Sequence, residues 1–324
     1  MANDQMPDLE GIICAAQAIS PYLSPTPLLR SELLSRALEA DVWLKYETMT
    51  PIASFKIRGA LNAVINAKQA GAEGVVTSST GNHGQGVAYA ARELSLSADI
   101  FLPSPANQVK AKMIEAFGGR VHEHGDDFDV AKLAAIEFAD RRGYRFINDG
   151  EATDVMEGAG TIALEIAREL AQIDLLLIPM GGGNLSGGCV TAMKALQPDA
   201  RVISVQAKGS AAVTESFHQR EIVERPIATI ADGLVTRLPA EFAMTVLWKL
   251  LDDAWLASDD DLLAATHSLM ASAHVLVEPA GAAALAGACQ HRQQIKGRRV
   301  VFILTGANIS SELLQRALAT APII

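Results

Sequence analysis

From residue 42 onward, short unbroken aliphatic runs alternate with longer stretches in which apolar residues recur every three to four positions. A strand covered on both faces reads as a continuous apolar run, and joining two parallel strands requires a crossover, usually a helix, so this alternation specifies βα units feeding mostly parallel sheets. The candidate strands are residues 42–46, 74–78, 98–102, 120–124, 145–147, 174–179, 201–206 and 299–304. Between them, Ile57, Leu61, Val64 and Ile65 mark the inward face of one helix. Val109, Met113, Ala116 and Phe117 mark a second, and Val130, Leu133, Ala134 and Phe138 a third. Connections are short and carry Gly or Pro, with no long linker. A chain of 324 residues exceeds the size at which one core stops growing, so the expectation is an α/β enzyme of two lobes.

Several function classes are excluded at this level. A formal net charge of -10, with no local run of Lys and Arg, repels a phosphate backbone and argues against nucleic acid as a partner. Cys14, Cys189 and Cys289 are scattered and lack metal-ligand spacing, which fits a reducing compartment. There is no 18-residue uncharged apolar run, and residues 1–10 are polar and acidic, so neither a membrane span nor a leader is expected. The expected location is cytoplasmic, with no regulatory domain after the last helix.

Four stretches carry chemistry. In Ser54-Phe55-Lys56-Ile57-Arg58-Gly59-Ala60 a lysine stands at a helix start between an aromatic and a β-branched neighbour. A desolvated amine there suits Schiff-base formation or proton abstraction, although a surface lysine snorkelling from an amphipathic helix accounts for the heptapeptide equally well. Ser78-Ser79-Thr80-Gly81-Asn82-His83-Gly84 is a polar turn between a strand and a helix that begins near Gly84, where hydroxyls and backbone N–H groups suit a carboxylate. Helix capping would explain one of its hydroxyls but not three. Gly181-Gly182-Gly183-Asn184-Leu185 follows an apolar strand and opens a helix rich in small residues, which is the chemistry of a phosphate cradle. Leu304-Thr305-Gly306-Ala307-Asn308 again runs from a strand into small polar residues.

A dinucleotide site does not fit the glycine loop, because the G-x-G-x-x-G pattern starting at Gly181 would need glycine at Ser186, and the following strand ends in Gln206 rather than an acidic ribose ligand. No Gly-Lys-Ser or Gly-Lys-Thr supplies a Walker A loop either.

In order and spacing the four stretches resemble the fold type II pyridoxal-phosphate enzymes, which share the tryptophan-synthase-β-like architecture, and most closely the threonine/serine dehydratase and serine racemase branch. Thr26-Pro27-Leu28, Lys45-Tyr46-Glu47, Ile230-Ala231-Asp232-Gly233 and Glu278-Pro279-Ala280-Gly281-Ala282-Ala283 extend the resemblance nearly to the end of the chain. The resemblance implies two lobes: a large cofactor-binding domain from residues 1–52 and 148–324, and a small substrate-closing domain from residues 53–147. It implies that Lys56 is the Schiff-base lysine, with Phe55 beside the cofactor and Asn82 on its phenolic oxygen. Gly181, Gly182, Gly183, Asn184 and Leu185 would hold the phosphate, Gly233 and Glu278 would line the pocket, and Thr305 would meet the pyridine nitrogen. Ser79, Thr80, Gly81 and His83 would surround the substrate carboxylate, and a homodimer is implied.

A neutral hydroxyl at the pyridine nitrogen makes a weaker electron sink than a carboxylate would, which favours prompt loss of a β-leaving group. The expected activity is therefore ammonia loss from a β-hydroxy amino acid (serine, threonine or a bulkier relative), with Lys56 and Thr80 as catalytic residues. Racemisation or β-replacement is the alternative. Thr80 occupies the position of a second catalytic serine in racemases, and its methyl group and stiffer χ1 weigh against two-face proton transfer. Gln206 and Ala212 stand where metal-stimulated relatives carry oxygen ligands, so no divalent cation is expected.

Overall fold

The computed structural model describes residues 6–79, 81–106 and 108–324. Its frame is two sheets. Strands β1 (Leu28–Arg30), β2 (Asp41–Tyr46), β7 (Leu175–Pro179), β8 (Arg201–Ala207), β9 (Asp253–Ala257) and β10 (Arg299–Leu304) form the larger, in the order β1-β2-β10-β7-β8-β9. Only β1 runs antiparallel to its neighbour. Strands β3 (Gly74–Ser78), β4 (Ser97–Leu102), β5 (Arg120–Glu123) and β6 (Arg145–Phe146) form the smaller, wholly parallel, in the order β5-β4-β3-β6. The aliphatic runs read from the sequence are these strands. β1 and β9 lie outside that reading: β1 is three residues at an edge, and the apolar run of β9 is only Ala-Trp-Leu-Ala.

Helices cover both faces. Against one face of the larger sheet lie α1 (Leu9–Ile19), α7 (Thr153–Glu169), α8 (Asn184–Leu196), α9 (Ala212–Gln219) and α10 (Glu241–Leu250), closing a core around Met156, Ile162, Leu176, Val190 and Val301. Against the other lie α2 (Glu32–Leu38), α11 (Asp259–Ala273), α12 (Ala283–Gln290) and the short α13 (Arg292–Ile295), around Leu44, Leu177, Leu285 and Phe302. Helix α14 (Ser311–Ala319) packs on α11. Helices α7 and α8 cross with backbones nearly touching: a Cβ on Gly188 would meet the Met156 carbonyl at 2.1 Å, so only glycine fits.

The smaller sheet packs on α3 (Lys56–Gln69), α4 (Asn82–Glu93) and α5 (Gln108–Ala116) on one side and α6 (Phe128–Arg142) on the other. The inward faces of α5 and α6 differ from the expectation. Val109, Met113, Val130 and Leu133 are exposed, and the buried faces are Ala111 with Ile114 and Ala131 with Ala135 and Ala139. Phe117, Ala134 and Phe138 of the expected stripes do pack half-buried on the core, and on α6 the fully buried positions against the sheet are alanines. Helix α4 starts two residues earlier than expected, at Asn82.

Candidate active site

The site is assembled around the first residue of α3, Lys56. Ala53 adopts a left-handed conformation (φ 51°) that turns the chain into the Ser54-Phe55-Lys56 segment. The Phe55 N–H donates to the Thr305 carbonyl at 2.9 Å and the Ala307 N–H donates to Ala53 O at 2.9 Å, so the end of β10 and the lysine segment pair as a short antiparallel bridge. The Glu278 N–H donates to Gly306 O at 2.9 Å, which brings the Glu278-Pro279-Ala280 stretch to the same point.

Helix α3 is anchored by a buried charge network. Arg58, fully buried, forks onto Glu47 (Nε–Oε2 2.7 Å, Nη2–Oε1 2.9 Å) and onto Glu165 (Nη1–Oε1 2.6 Å, Nη2–Oε2 2.9 Å), with further bonds to Thr161 and Thr26. Lys45, also fully buried, adds a 2.6 Å pair with Glu165 and donates to Thr26 O. Two cations therefore answer two carboxylates. This gives the Lys45-Tyr46-Glu47 stretch and Arg58 a structural function two residues along α3 from Lys56.

The phosphate-cradle stretch lies where expected, between β7 and α8. Gly183 has φ 100°, and its successor opens a 13-residue helix whose first-turn N–H groups are available to an anion. Gly181 lies against the Gly233 carbonyl, 2.7 Å from where a Cβ would stand. The Leu185 side chain faces the core, so its contribution to a ligand would come from backbone. The Asn184 side-chain amide donates to the backbone carbonyl of Asp149, and its Oδ1 is buried without a partner.

On the other wall, Ser79, Gly81 and His83 lie between β3 and the first turn of α4; Thr80 lies outside the described residues. The Gly81 N–H donates to Ser79 Oγ at 3.3 Å, while the buried Ser78 hydroxyl has no partner among the described residues. His83 is buried with neither ring nitrogen in a well-formed hydrogen bond; burial pushes its pKa down, leaving it neutral at pH 7. Asn82 bridges the two walls, its amide donating to Glu278 Oε1 at 3.0 Å and its oxygen accepting from Asn308 at 2.7 Å. Burial pushes Glu278 up to about 7. Thr305, buried, follows the last residue of β10.

Lys56 Nζ lies 5.2 Å from the centre of the Phe55 ring and 2.5 Å from Asp149 Oδ2; the other Asp149 oxygen is 3.4 Å from His83 Nδ1. Asp149 was not singled out in the sequence. It sits in Asn148-Asp149-Gly150, which reads as an ordinary turn, and only the fold brings it beside Lys56. Asn308 was likewise missed as a partner of Asn82.

Comparison with known proteins identifies the arrangement. A family model described as "Pyridoxal-phosphate dependent enzyme" matches residues 19–306. The chain belongs to that family. Among similar family members, the biosynthetic L-threonine dehydratase of Haemophilus influenzae is 34% identical over 90% of this chain and 57% of its own length. The chain thus spans little more than half of that relative. The catabolic L-threonine dehydratase of Staphylococcus aureus is 33% identical over 91% of this chain and 87% of its own. Among solved structures, processed threonine deaminase isoform 2 from Solanum lycopersicum superposes with a TM-score of 0.90 at 32% identity, covering 99% of this chain and 96% of that one. Maize serine racemase superposes at 0.91 with 27% identity, covering 97% and 98%.

The residues present fit the family's cofactor. The Lys56 amine, the His83 ring and the Asn184 side chain at the start of the helix after the glycine loop all meet Asp149, and His83 and Asn184 keep buried polar atoms with no partner among the described residues. His122, whose position beside acidic residues could suggest a metal, is engaged by Asp99 at 2.7 Å.

Proposed function

We propose that this chain is a pyridoxal-phosphate-dependent ammonia-lyase acting on a β-hydroxy-α-amino acid: serine, threonine or a bulkier relative. The net reaction removes the α-hydrogen and the β-hydroxyl as water, and return of that water at the nitrogen-bearing carbon releases ammonia and a 2-oxo acid. The observation that supports this reading is the meeting of Lys56, His83 and the Asn184 side chain of the glycine loop at Asp149, in a chain that matches a catabolic threonine dehydratase over most of both lengths.

When bound, the cofactor withdraws electrons from the amino acid's Cα and makes its C–H acidic. Gly181, Gly182, Gly183, Asn184 and the Leu185 backbone would hold the phosphate; Phe55 would lie beside the cofactor, Asn82 would meet its phenolic oxygen, and Gly233 and Glu278 would line the substrate and cofactor pocket. Thr305 would offer the ring nitrogen a neutral hydroxyl. Ser79, Thr80, Gly81 and His83 orient the substrate carboxylate, and Lys56 Nζ takes the Cα proton. Positioning of this kind converts a weak base into an effective one, worth about 10² to 10⁴ in rate.

Closure in this reading brings a small lobe, residues 53–147, over a large one, residues 1–52 and 148–324. Ion pairs across the cleft support it, Lys110 with Asp232 at 2.5 Å and Asp129 with Arg237 at 3.0 Å. No helix among the described residues is long and apolar enough to cross a membrane. The enzyme is read as a cytoplasmic homodimer, which sedimentation at twice 34.3 kDa checks for assembly.

The test is purified protein supplied with pyridoxal phosphate and a panel of β-hydroxy amino acids, assayed for 2-oxo acid and for inverted amino acid. Release of 2-oxo acid supports the lyase. Inversion with little 2-oxo acid would replace it with a racemase.

A further inference from the structure

We propose that Asp149 is a positioning residue of the reaction centre, whose carboxylate orients the Lys56 side chain and stabilises positive charge on its nitrogen. The inference rests on the lyase reading above, which makes Lys56 Nζ the proton-carrying atom.

The geometry begins with how the carboxylate is aimed. The turn after β6 is fixed from both sides: the Gly150 N–H donates to Asn148 Oδ1 at 3.2 Å, Asn148 donates to Glu151, and the backbone carbonyl of Asp149 accepts from Asn184 of the glycine loop. The segment is thereby tied to the loop assigned to the phosphate, and the Asp149 side chain points at Lys56, 2.5 Å away. A lysine has a long flexible stem and no preferred direction of its own, so a carboxylate at hydrogen-bond distance supplies the direction.

The electrostatics agree. Burial pushes the Asp149 carboxyl up, but the charge of Lys56, joined at acid pH by that of protonated His83, outweighs it and holds the group down to about 2, so it is ionised throughout the neutral range. Lys56 on α3 and His83 on α4 are the titratable groups that act on it; on the far side of Asn82, Glu278 faces Asp232 and Lys110 instead. His83 is neutral at pH 7, which leaves Lys56 as the cation Asp149 answers. When the free amine takes a proton from the substrate carbon, the N–H bond formed replaces the C–H bond broken, and the new positive charge appears 2.5 Å from a fixed carboxylate in a partly desolvated cleft.

The test is a pH titration of the visible absorbance band of the cofactor-loaded protein, comparing wild type, Asp149→Asn and Asp149→Glu. An opposite charge at this range shifts a titration by about one to three units, so Asp149→Asn should lower the midpoint by about one unit or more, a tenfold loss of proton affinity. Asp149→Glu, which keeps the charge, should stay closer to wild type than Asp149→Asn does. In turnover, Asp149→Asn should lose about tenfold or more in kcat with KM within about threefold, because the contact stabilises charge that develops during reaction. A wild-type midpoint that Asp149→Asn leaves in place would overturn this assignment alone. A wild-type protein that takes up no pyridoxal phosphate would overturn the lyase reading and this assignment together.

Discussion

Replacing Arg58 by leucine should destabilise the protein severely, and the structure sets the magnitude. The guanidinium is fully buried, and its pairing with Glu47 and Glu165 holds its proton more firmly than usual despite the burial that opposes charge. Without it, Glu165 keeps Lys45 at 2.6 Å, but Glu47, fully buried, keeps only the Thr26 hydroxyl at 2.5 Å. One carboxylate is left uncompensated in the interior. Removing one partner of such a pair costs about 3–5 kcal/mol. With an unfolding entropy near 2.1 cal/mol/K per residue, a 324-residue chain loses about 1.5 °C of melting temperature per kcal/mol, so the expected drop is about 4–7 °C by scanning calorimetry. Arg58→Leu combined with Glu47→Gln should recover part of it, because the orphaned charge is gone. A single-variant drop below about 2 °C, or no recovery in the double variant, would refute the claim that this network anchors α3 and with it Lys56.

Glu157, pushed up to about 7 by burial and then by Asp154 and Asp8, is protonated in both states below its ordinary 4.5; between 4.5 and 7 the unfolded chain sheds a proton the folded chain retains, so stability falls as pH rises. Glu157→Gln should therefore raise the melting temperature at pH 8 by about 2–4 °C and leave it unchanged at pH 4, and an equal shift at both would contradict the account. Gly183→Ala places a side chain at φ 100° and within 3.1 Å of Leu247, which should cost about 1–3 kcal/mol in stability and weaken pyridoxal phosphate binding in a fluorescence titration. Unaltered cofactor affinity would argue against the loop as the phosphate cradle.

How much was legible in the sequence follows from which interactions are local. The strands of both sheets' interiors announced themselves because buried parallel strands are continuous apolar runs, as in Leu175–Pro179 and Arg299–Leu304. The glycine loop and the 79–83 turn were legible because their chemistry is written in consecutive residues. The faces of α5 and α6 were legible only in part: Phe117, Ala134 and Phe138 do pack on the core, but the fully buried positions are Ile114 and small alanines that carry little signal. The pairings of Asp149 and Asn308 were invisible for a different reason: each meets its partner across a long stretch of chain, Lys56 in one case and Asn82 in the other, and a turn sequence such as Asn148-Asp149-Gly150 carries no sign of the partner. The charge network was half visible, as residues of known position whose mutual pairing only the fold supplies.

The central claim is that Lys56 carries the cofactor and the proton of an elimination reaction. It is tested most directly by comparing wild type with Lys56→Ala, each supplied with pyridoxal phosphate, for the visible absorbance band and for 2-oxo acid release from serine, threonine and bulkier β-hydroxy amino acids. The account predicts a band and 2-oxo acid in the wild type and loss of both in Lys56→Ala. A variant that retains the band and turns over at the wild-type rate would contradict it.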